Sequence, residues 1–335
     1  MPIIKTILEY LRLFRFHAVS METTIILIGA LVMGQREIPL LLVIFLIGLF
    51  GHITGYVLND YADLEVDKKS DELKEKPLVS GLISKKTAIL IAVISAIITY
   101  SLTLYFFPYV QTLLLLGLAT LLTIIYDFYG KKIPGSDFIV AGTITVFCLY
   151  GASTVGLPFN NIIYLVCLTF FFDVVFINVV EGGLKDVDHD YLSGARTFAT
   201  VAGVKVKEGK LFITKKFIVF SYLIRALYFL TVIYLGLQTE LNIWKGDNYL
   251  LLILVIIFMI LVLLGSAKLL NMKEFDRGKM KKTYGGLNAA SGILYLLVLS
   301  PIFGLVITLF LVLYPFLWYT IFNTLLFGKP MQPRV

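Results

Sequence analysis

The chain has 335 residues, of which 59% are hydrophobic and only 15% are charged, and its mean hydropathy is +0.89. Soluble domains carry roughly 25% charged residues, so this composition excludes an ordinary soluble protein. The formal net charge is +7.

Long unbroken apolar runs predict nine membrane-spanning helices. About 20 apolar residues cross the hydrocarbon core of a bilayer, and helices are required because an open strand would leave its backbone polar groups unsatisfied in lipid. The predicted spans are 18–34, 39–60, 87–107, 109–126, 138–157, 161–180, 217–237, 249–270 and 286–308. The apolar pattern continues past Pro301 to about Phe327, which is too long for one straight span. We expect the last helix to be kinked, unusually tilted or followed by a tenth span, and we favour nine.

The distribution of positive charge predicts the orientation in the membrane. One side is expected to hold the N-terminus, two long loops at 61–86 and 181–216, and most of the 29 Lys and Arg residues. The opposite side holds Arg36, Lys245, Lys329 and Arg334. Because cytoplasmic loops are enriched in Lys and Arg, we expect the N-terminus and the two long loops to face the cytoplasm. The net charge then follows from topology and from attraction to anionic membrane lipid, and no nucleic-acid partner is needed to explain it.

A first acidic cluster begins where span two ends. Asn59, Asp63 and Asp67 recur every four residues, while Asp60, Asp63 and Asp67 follow an i, i+3, i+7 pattern. If the helix extends past the membrane, these oxygens line one helix face. Mg²⁺ typically takes one or two carboxylates together with phosphate oxygens and waters, so the pattern indicates a site for Mg²⁺ and a phosphorylated ligand. The alternative is an ordinary charged cytoplasmic loop.

A second acidic cluster follows span six. Asp186 and Asp190 are four residues apart, and two further steps of four back along the chain reach Asn178 at the end of the span. The same number of residues separates Asp63 from Asp186 and Asp67 from Asp190. This repetition predicts two half-sites that face each other across one cavity.

Both clusters lie in longer motifs that resemble the signatures of one family, the UbiA-type intramembrane prenyltransferases. The two motifs are Asn59-Asp60-x-x-Asp63-x-x-x-Asp67 with Lys76-Pro77-Leu78-Val79-Ser80-Gly81, and Lys185-Asp186-x-x-x-Asp190-x-x-x-Gly194-x-Arg196-Thr197. Nine spans, with the motifs after spans two and six, also match the layout of that family. The chain departs from the family pattern at Lys76, where Arg is usual, and at Val79, where Pro is common.

The resemblance implies a fold, a reaction and two cofactor ions. The fold would be a single all-α domain over residues 1–335, a bundle of about nine helices around a central cavity with cytoplasmic cap loops. Two Mg²⁺ ions would be held by Asp63, Asp67, Asp186 and Asp190. A prenyl diphosphate donor would ionise to an allylic cation, which a lipid-soluble or amphipathic acceptor would attack. The acceptor could be an aromatic quinone precursor or a glycerol-phosphate lipid intermediate.

The resemblance also implies residues that contact the donor diphosphate. These candidates are Asn59, Asp60, Asn178, Lys76, Tyr126, Lys131, Lys185, Arg196 and Arg15. For the basic residues among them, the alternative is ordinary positive charge on the cytoplasmic side.

A few ionisable residues fall inside predicted spans, where charge is costly and needs a partner. We expect Asp173 of span six to pair with Arg225 of span seven. His52 is expected to be a hydrogen-bonded residue of the bundle, and Glu22 has no assigned role.

Two other classes of protein remain open at this point. A membrane phosphatidyl-type transferase also uses acidic metal ligands, but it would be expected to carry an Asp-Gly-x-x-Ala-Arg motif, which the chain lacks. A transporter would be expected to bind its substrate near the midplane of the bilayer, whereas these aspartates lie at span ends.

Overall fold

The computed structural model describes residues 2–68, 73–130, 133, 135–328 and 330, and the regular structure in this part of the chain is almost entirely helical. The helices are α1 (Pro2–Leu13), α2 (Val19–Val32), α3 (Ile38–Asp67), α4 (Lys85–Phe106), α5 (Val110–Tyr129), α6 (Asp137–Ser153), α7 (Asn161–Val175), α8 (Gly183–Ser193), α9 (Phe198–Val201), α10 (Lys215–Gly236), α11 (Tyr249–Leu270) and α12 (Arg277–Phe327). A 3₁₀ turn, Phe16–Ala18, lies between α1 and α2, and a π-helical segment, Phe176–Gly182, joins α7 to α8.

Several helix starts follow from local sequence. A side chain accepts a backbone N–H of the first turn, which satisfies one of the donors that a helix start leaves open. The capping residues are Ser84 for α4, Asn160 for α7, Thr214 for α10 and Asn248 for α11.

A small hairpin follows α9 in the second long loop. Its strands, β1 (Lys205–Lys207) and β2 (Lys210–Phe212), pair antiparallel. The two residues between them, Glu208 and Gly209, both have positive φ, at 52° and 72°. This is the turn geometry that matches the twist of two-residue hairpins.

The membrane-spanning architecture agrees with the sequence. The described residues include seven helices that are long and apolar enough to cross a bilayer, or eight if α1 and α2, which meet at a bend of 55°, form one broken span. Helix α6 is apolar but shorter. These elements lie at the nine predicted positions, so the prediction of a multi-pass α-helical membrane protein is confirmed.

The last helix is broken, and the break lies at Gly304. This residue has φ 75° and ψ 166° inside α12, a conformation that only glycine adopts readily. The expectation of a kink is therefore confirmed, and an unusual tilt stays a prediction. That the chain has nine spans and not ten stays a prediction.

The chain groups into two compact units. The first comprises the described residues of Met1–Phe128, Val146–Phe159 and Leu313–Val335, and the second those of Tyr129–Thr145 and Asn160–Val312. The first acidic cluster belongs to the first unit, and the second cluster belongs to the second unit. The assignment of residues 1–335 to one domain stays a prediction.

Within the first unit, α2 and the second half of α6 cross with their backbones in contact. A Cβ atom on Gly29 would overlap the carbonyl oxygen of Cys148, and one on Gly151 would overlap that of Ile26. Small residues of this kind let membrane helices approach closely. Cys148 is buried at this crossing.

Candidate active site: two acidic half-sites

The first half-site is built on the end of α3. This helix continues without a break to Asp67, so Asp60, Asp63 and Asp67 share one helix face, as the spacing predicts. Asp60 and Asp67 are only 4% and 6% exposed, and Asp63 is half-buried. Three carboxylates on one face, two of them buried, require positive partners.

The loop after α3 supplies one of those partners because apolar residues fold it back onto the unit. Leu78 and Ile83 are buried in a cluster that includes Leu13 of α1 and Leu64 of α3. The chain reverses between them through Gly81, which has φ 77°. This packing brings Lys76, just ahead of Leu78, against the end of α3.

Two cations contact the motif carboxylates. Lys76 Nζ donates to Asp60 Oδ1 at 3.1 Å and to Asp67 Oδ2 at 2.8 Å, and its side chain is only 10% exposed. Arg15 Nη2 donates to the same Asp60 oxygen at 2.8 Å. Because all four side chains are largely shielded from water, these are strong charge-assisted contacts. The structure therefore gathers four of the predicted site residues, Arg15, Asp60, Asp67 and Lys76.

An acidic residue that the sequence analysis missed also belongs to this half-site. Asn59 Nδ2 donates to Asp127 Oδ1 at 3.0 Å, while Asp127 Oδ2 is buried without a hydrogen-bond partner among the described residues. The sequence did offer one indication, because Asp127 directly follows predicted span four on the same predicted side of the membrane as the two motifs. Tyr126, next to it, is half-buried near the end of α5, and Lys131 lies outside the described residues.

The second half-site lies on α8 and begins with a change of helix type. The segment Phe176–Gly182 is π-helical, and a π turn holds one residue more than an α turn. The expected step of four from Asp186 back to Asn178 is therefore wrong as a register, because it assumes an unbroken α-helix. The Asn178 amide instead donates to the Val174 carbonyl at 3.0 Å. Such π segments are frequent at functional sites.

On α8 itself, both predicted aspartates have contacts from their own motif. Lys185 Nζ lies 3.1 Å from Asp186 Oδ2. Asp190 Oδ2 accepts a hydrogen bond from Thr197 Oγ1 at 2.9 Å, beyond the turn where Gly194 ends the helix with φ 71°. Arg196, in the same turn, is exposed.

Arg277, a residue that the sequence analysis did not single out, anchors α8 to the start of α12. Its Nη2 donates to Asp188 Oδ1 at 2.7 Å, and its Nε donates to the Lys185 carbonyl at 3.3 Å. No pattern in the sequence indicated this contact. Asp188 thus serves α8 itself, which leaves Asp186 and Asp190 as the metal-ligand candidates of this motif.

The oxygen atoms of the two acidic motifs fit Mg²⁺ only if a bound ligand supplies further oxygen atoms. Among the described residues, no three His, Cys, Asp or Glu side chains are grouped so that they could bind a metal alone. Mg²⁺ is usually bound by one or two carboxylates plus phosphate oxygens and waters. Hard oxygen donors at both motifs, and the unpartnered Asp127 oxygen, fit that pattern. That both motifs bind one ligand stays a prediction.

The fold and these half-sites define a multi-pass helical membrane protein with acidic helix ends suited to a divalent cation and a phosphorylated ligand. The family model described as the UbiA prenyltransferase family matches residues 23–265. The chain is also 30% identical over 308 residues to a digeranylgeranylglyceryl phosphate synthase from Saccharolobus solfataricus. The aligned region covers 88% of this chain and 98% of that protein. The chain therefore belongs to the UbiA prenyltransferase family, as its motifs predict.

Two further comparisons are more limited. The chain is 35% identical over 120 residues to a 4-hydroxybenzoate octaprenyltransferase from Shewanella pealeana, but this covers only 35% of the chain and 41% of that protein. A solved structure of a UbiA homologue from Archaeoglobus fulgidus bound to GPP and Mg²⁺ has a TM-score of 0.62 at 16% identity and covers 93% of this chain and 99% of that one. This second likeness shows a shared fold.

Proposed function

We propose that the chain transfers a prenyl group from a prenyl diphosphate, bound with Mg²⁺, to a membrane-associated acceptor. The observation that carries the proposal is the contact of Lys76 and Arg15 with the buried carboxylates of Asp60 and Asp67 at the end of α3. A site that combines carboxylates with cations suits a metal–diphosphate complex, because the carboxylates hold the metal and the cations bind phosphate oxygens. The A. fulgidus homologue, with GPP and Mg²⁺ bound, supports the same assignment.

Each predicted site residue has a role in this proposal. Asp63 and Asp67 of the first motif, and Asp186 and Asp190 of the second, would hold two Mg²⁺ ions. When bound, Mg²⁺ supplies Lewis acidity that stabilises the diphosphate as a leaving group. The diphosphate contacts would come from Asn59, Asp60, Asn178, Lys76, Tyr126, Lys131, Lys185, Arg196 and Arg15. Lys76 and Arg15 share the charge that develops as the diphosphate leaves, and this contribution is large where water is excluded.

The reaction breaks the bond between the prenyl carbon and the diphosphate oxygen, and its electron pair leaves with the diphosphate. The allylic cation that remains must be kept from water. The chain has 26 Phe and 19 Tyr residues, and aromatic ring faces stabilise a nearby cation. An electron pair of the acceptor then forms the new bond, and the acceptor releases a proton.

The favoured acceptor is a glyceryl phosphate lipid. The similarity to the S. solfataricus synthase extends over 98% of that protein, whereas the match to the S. pealeana octaprenyltransferase covers 41% of it. An aromatic acid is the second candidate. Both acceptors carry an anionic group and an attacking atom, so the two must be compared in one assay.

The direct test is prenyl transfer by purified protein in lipid nanodiscs. Radiolabelled prenyl diphosphates of several lengths would be supplied with a glyceryl phosphate lipid or 4-hydroxybenzoate, with Mg²⁺ or with EDTA. We expect Mg²⁺-dependent transfer to the glyceryl phosphate lipid. Transfer that persists in EDTA would refute the metal-dependent mechanism. Transfer to the aromatic acid alone would make that acid, and not the glyceryl phosphate lipid, the acceptor.

The role of Mg²⁺ also predicts a binding result. A prenyl diphosphate should raise the thermal unfolding temperature of the protein only when Mg²⁺ is present, because the metal bridges carboxylates and phosphate oxygens. If both motifs bind one diphosphate, Asp63→Ala and Asp186→Ala should each abolish the stabilisation. Equal stabilisation with and without metal, or loss in only one of the two variants, would argue against the bridging role.

We further propose that the N-terminus and both acidic motifs face the cytoplasm, on the basis of the Lys and Arg distribution. Lys207→Cys and Lys245→Cys form a matched pair, since both lysines are exposed and are predicted to lie on opposite sides. The native Cys148 and Cys167 are buried. In intact cells, an impermeant maleimide should label the Lys245→Cys variant and spare the Lys207→Cys variant. The reverse labelling would invert the topology.

A further inference from the structure

Arg15 contacts the first acidic motif from an unusual backbone conformation. Its φ and ψ are 44° and 45°, in the left-handed region that non-glycine residues rarely adopt. It lies at the point where the chain bends by 55° between α1 and α2. A conformation of this kind costs free energy and persists only where the surroundings fix it. The surrounding contacts therefore show what holds the guanidinium against Asp60.

The first of these contacts fixes the backbone. His52 Nε2 lies 2.9 Å from the carbonyl oxygen of Phe14, the residue before Arg15. Because a carbonyl can only accept, Nε2 carries the proton and donates it. The other ring nitrogen, Nδ1, lies 3.0 Å from Glu22 Oε2, and one of these two atoms carries the proton between them. His52 thus links α2 to the bend before Arg15.

The second set of contacts fixes the side chain. Tyr56 donates its hydroxyl hydrogen to the other Glu22 oxygen, Oε1, at 2.9 Å. The ring of Tyr56 lies under the guanidinium of Arg15, 4.8 Å from ring centroid to Cζ, a distance at which a cation is attracted to the ring face. Glu22 therefore receives contacts from two residues of α3, and those two residues hold Arg15 by its backbone and by its side chain.

We propose that Glu22, His52 and Tyr56 are positioning residues that hold Arg15 in place for the donor diphosphate. We call these three residues the Arg15 clamp. The clamp explains why two costly ionisable groups, Glu22 and His52, are placed within predicted spans. It also gives a role to Glu22 and His52, which the reaction itself does not use. The inference rests on the proposed function, because it needs a diphosphate that Arg15 binds.

The clamp predicts a specific kinetic effect. His52→Leu removes the hydrogen-bond donor to the Phe14 carbonyl, so the guanidinium of Arg15 should no longer be held in position. The KM for the prenyl diphosphate should therefore rise by about 10-fold or more. His52→Gln, whose amide N–H can replace the Nε2 donor, should restore most of the affinity. A simple folding defect would lower the amount of active enzyme, and hence the apparent kcat, without raising KM. The KM for the donor is therefore the informative readout.

A double-mutant cycle with Arg15→Ala tests whether the clamp acts through Arg15. Arg15→Ala should raise the donor KM, and His52→Leu should add nothing further in that background. If His52→Leu has the same effect with and without Arg15, the clamp is overturned. Tyr56→Phe keeps the ring but loses the hydrogen bond to Glu22, and it can replace His52→Leu in the cycle if His52→Leu does not fold.

The same measurements separate the two proposals. Prenyl transfer by the wild type together with an unchanged KM and an unchanged kcat in Arg15→Ala would overturn the clamp and leave the proposed function intact. Absence of prenyl transfer in the wild type, under conditions where the protein is folded, would refute the proposed function itself.

Discussion

Asp63→Asn should abolish prenyl transfer, with a fall in activity of about 100-fold or more, while the protein still folds. Asp63 lies between Asp60 and Asp67 at the end of α3. Lys76 and Arg15 contact Asp60, and Lys76 also contacts Asp67. Asp63 is half-buried and is the middle carboxylate of the pattern that predicts the metal site. Asparagine keeps the size of the side chain and removes the negative charge that a metal ion requires. Steady-state transfer rates, measured at saturating donor and Mg²⁺, check the prediction.

The chain offers a matched control two residues along the same helix. Glu65 is also acidic and on α3, but it is exposed and pairs with Lys68 and Lys85 at the surface. Exposed ion pairs contribute little to stability, so Glu65→Gln should leave both the rate and the unfolding temperature nearly unchanged. Similar losses in Asp63→Asn and Glu65→Gln would mean that negative charge on this helix end matters in general, and that Asp63 is not a metal ligand.

What could be predicted from the sequence is the part that local pattern determines. Apolar runs located the spans because a bilayer requires about 20 apolar residues. The i, i+3, i+7 spacing placed Asp60, Asp63 and Asp67 on one face because α3 is regular to its end. The partner of Arg225 was predictable because a charge within a span needs an opposite charge close by.

The features that could not be predicted depend on tertiary packing or on backbone conformations that leave no pattern in the sequence. Lys76 contacts the motif because the neighbouring Leu78 and Ile83 are buried in the cluster that includes Leu64. The family resemblance implied this position for Lys76, and no local pattern did. The π-helical turn before α8 shifted Asn178 out of the expected register, since periodicity assumes one helix type. The break in α12 occurs at Gly304 and not at Pro301, although proline is the more obvious signal. Asp127 lacked the repeated spacing that made the other carboxylates visible.

The largest effect on stability should come from Asp173, whose predicted pairing with Arg225 is confirmed. Arg225 Nη1 donates to Asp173 Oδ1 at 2.9 Å, and the two residues are 1% and 6% exposed. Ser291 Oγ donates to the second carboxylate oxygen at 2.9 Å, and the Arg225 guanidinium lies 3.7 Å from the centre of the Phe176 ring. Among the described residues, Asp173 is the acceptor on which this buried cation depends, because Arg225 Nε and Nη2 are buried without a partner.

Replacing Asp173 by Leu leaves that guanidinium buried without its hydrogen-bonded carboxylate. The expected loss is about 3–5 kcal/mol in the free energy of unfolding, because breaking a buried pair exposes the full desolvation cost of the remaining charge. The measurement is reversible denaturant unfolding in mixed micelles, with α10 and α7 followed by introduced fluorophores. Since α7 continues through the π segment into α8, the loss should extend to the second motif and lower prenyl transfer as well.

The double variant Asp173→Leu/Arg225→Met decides whether the charge is the cause. Replacing both members of a buried pair by apolar residues of similar size is often nearly neutral, so the double variant should recover most of the stability that Asp173→Leu loses. If it is as unstable as the single variant, the contribution of Asp173 lies in its packing and in its bond from Ser291, and the ion pair is not what joins α10 to α7. If it is stable but inactive, the pair is needed to keep α8 and its aspartates in place, beyond what helix packing alone provides.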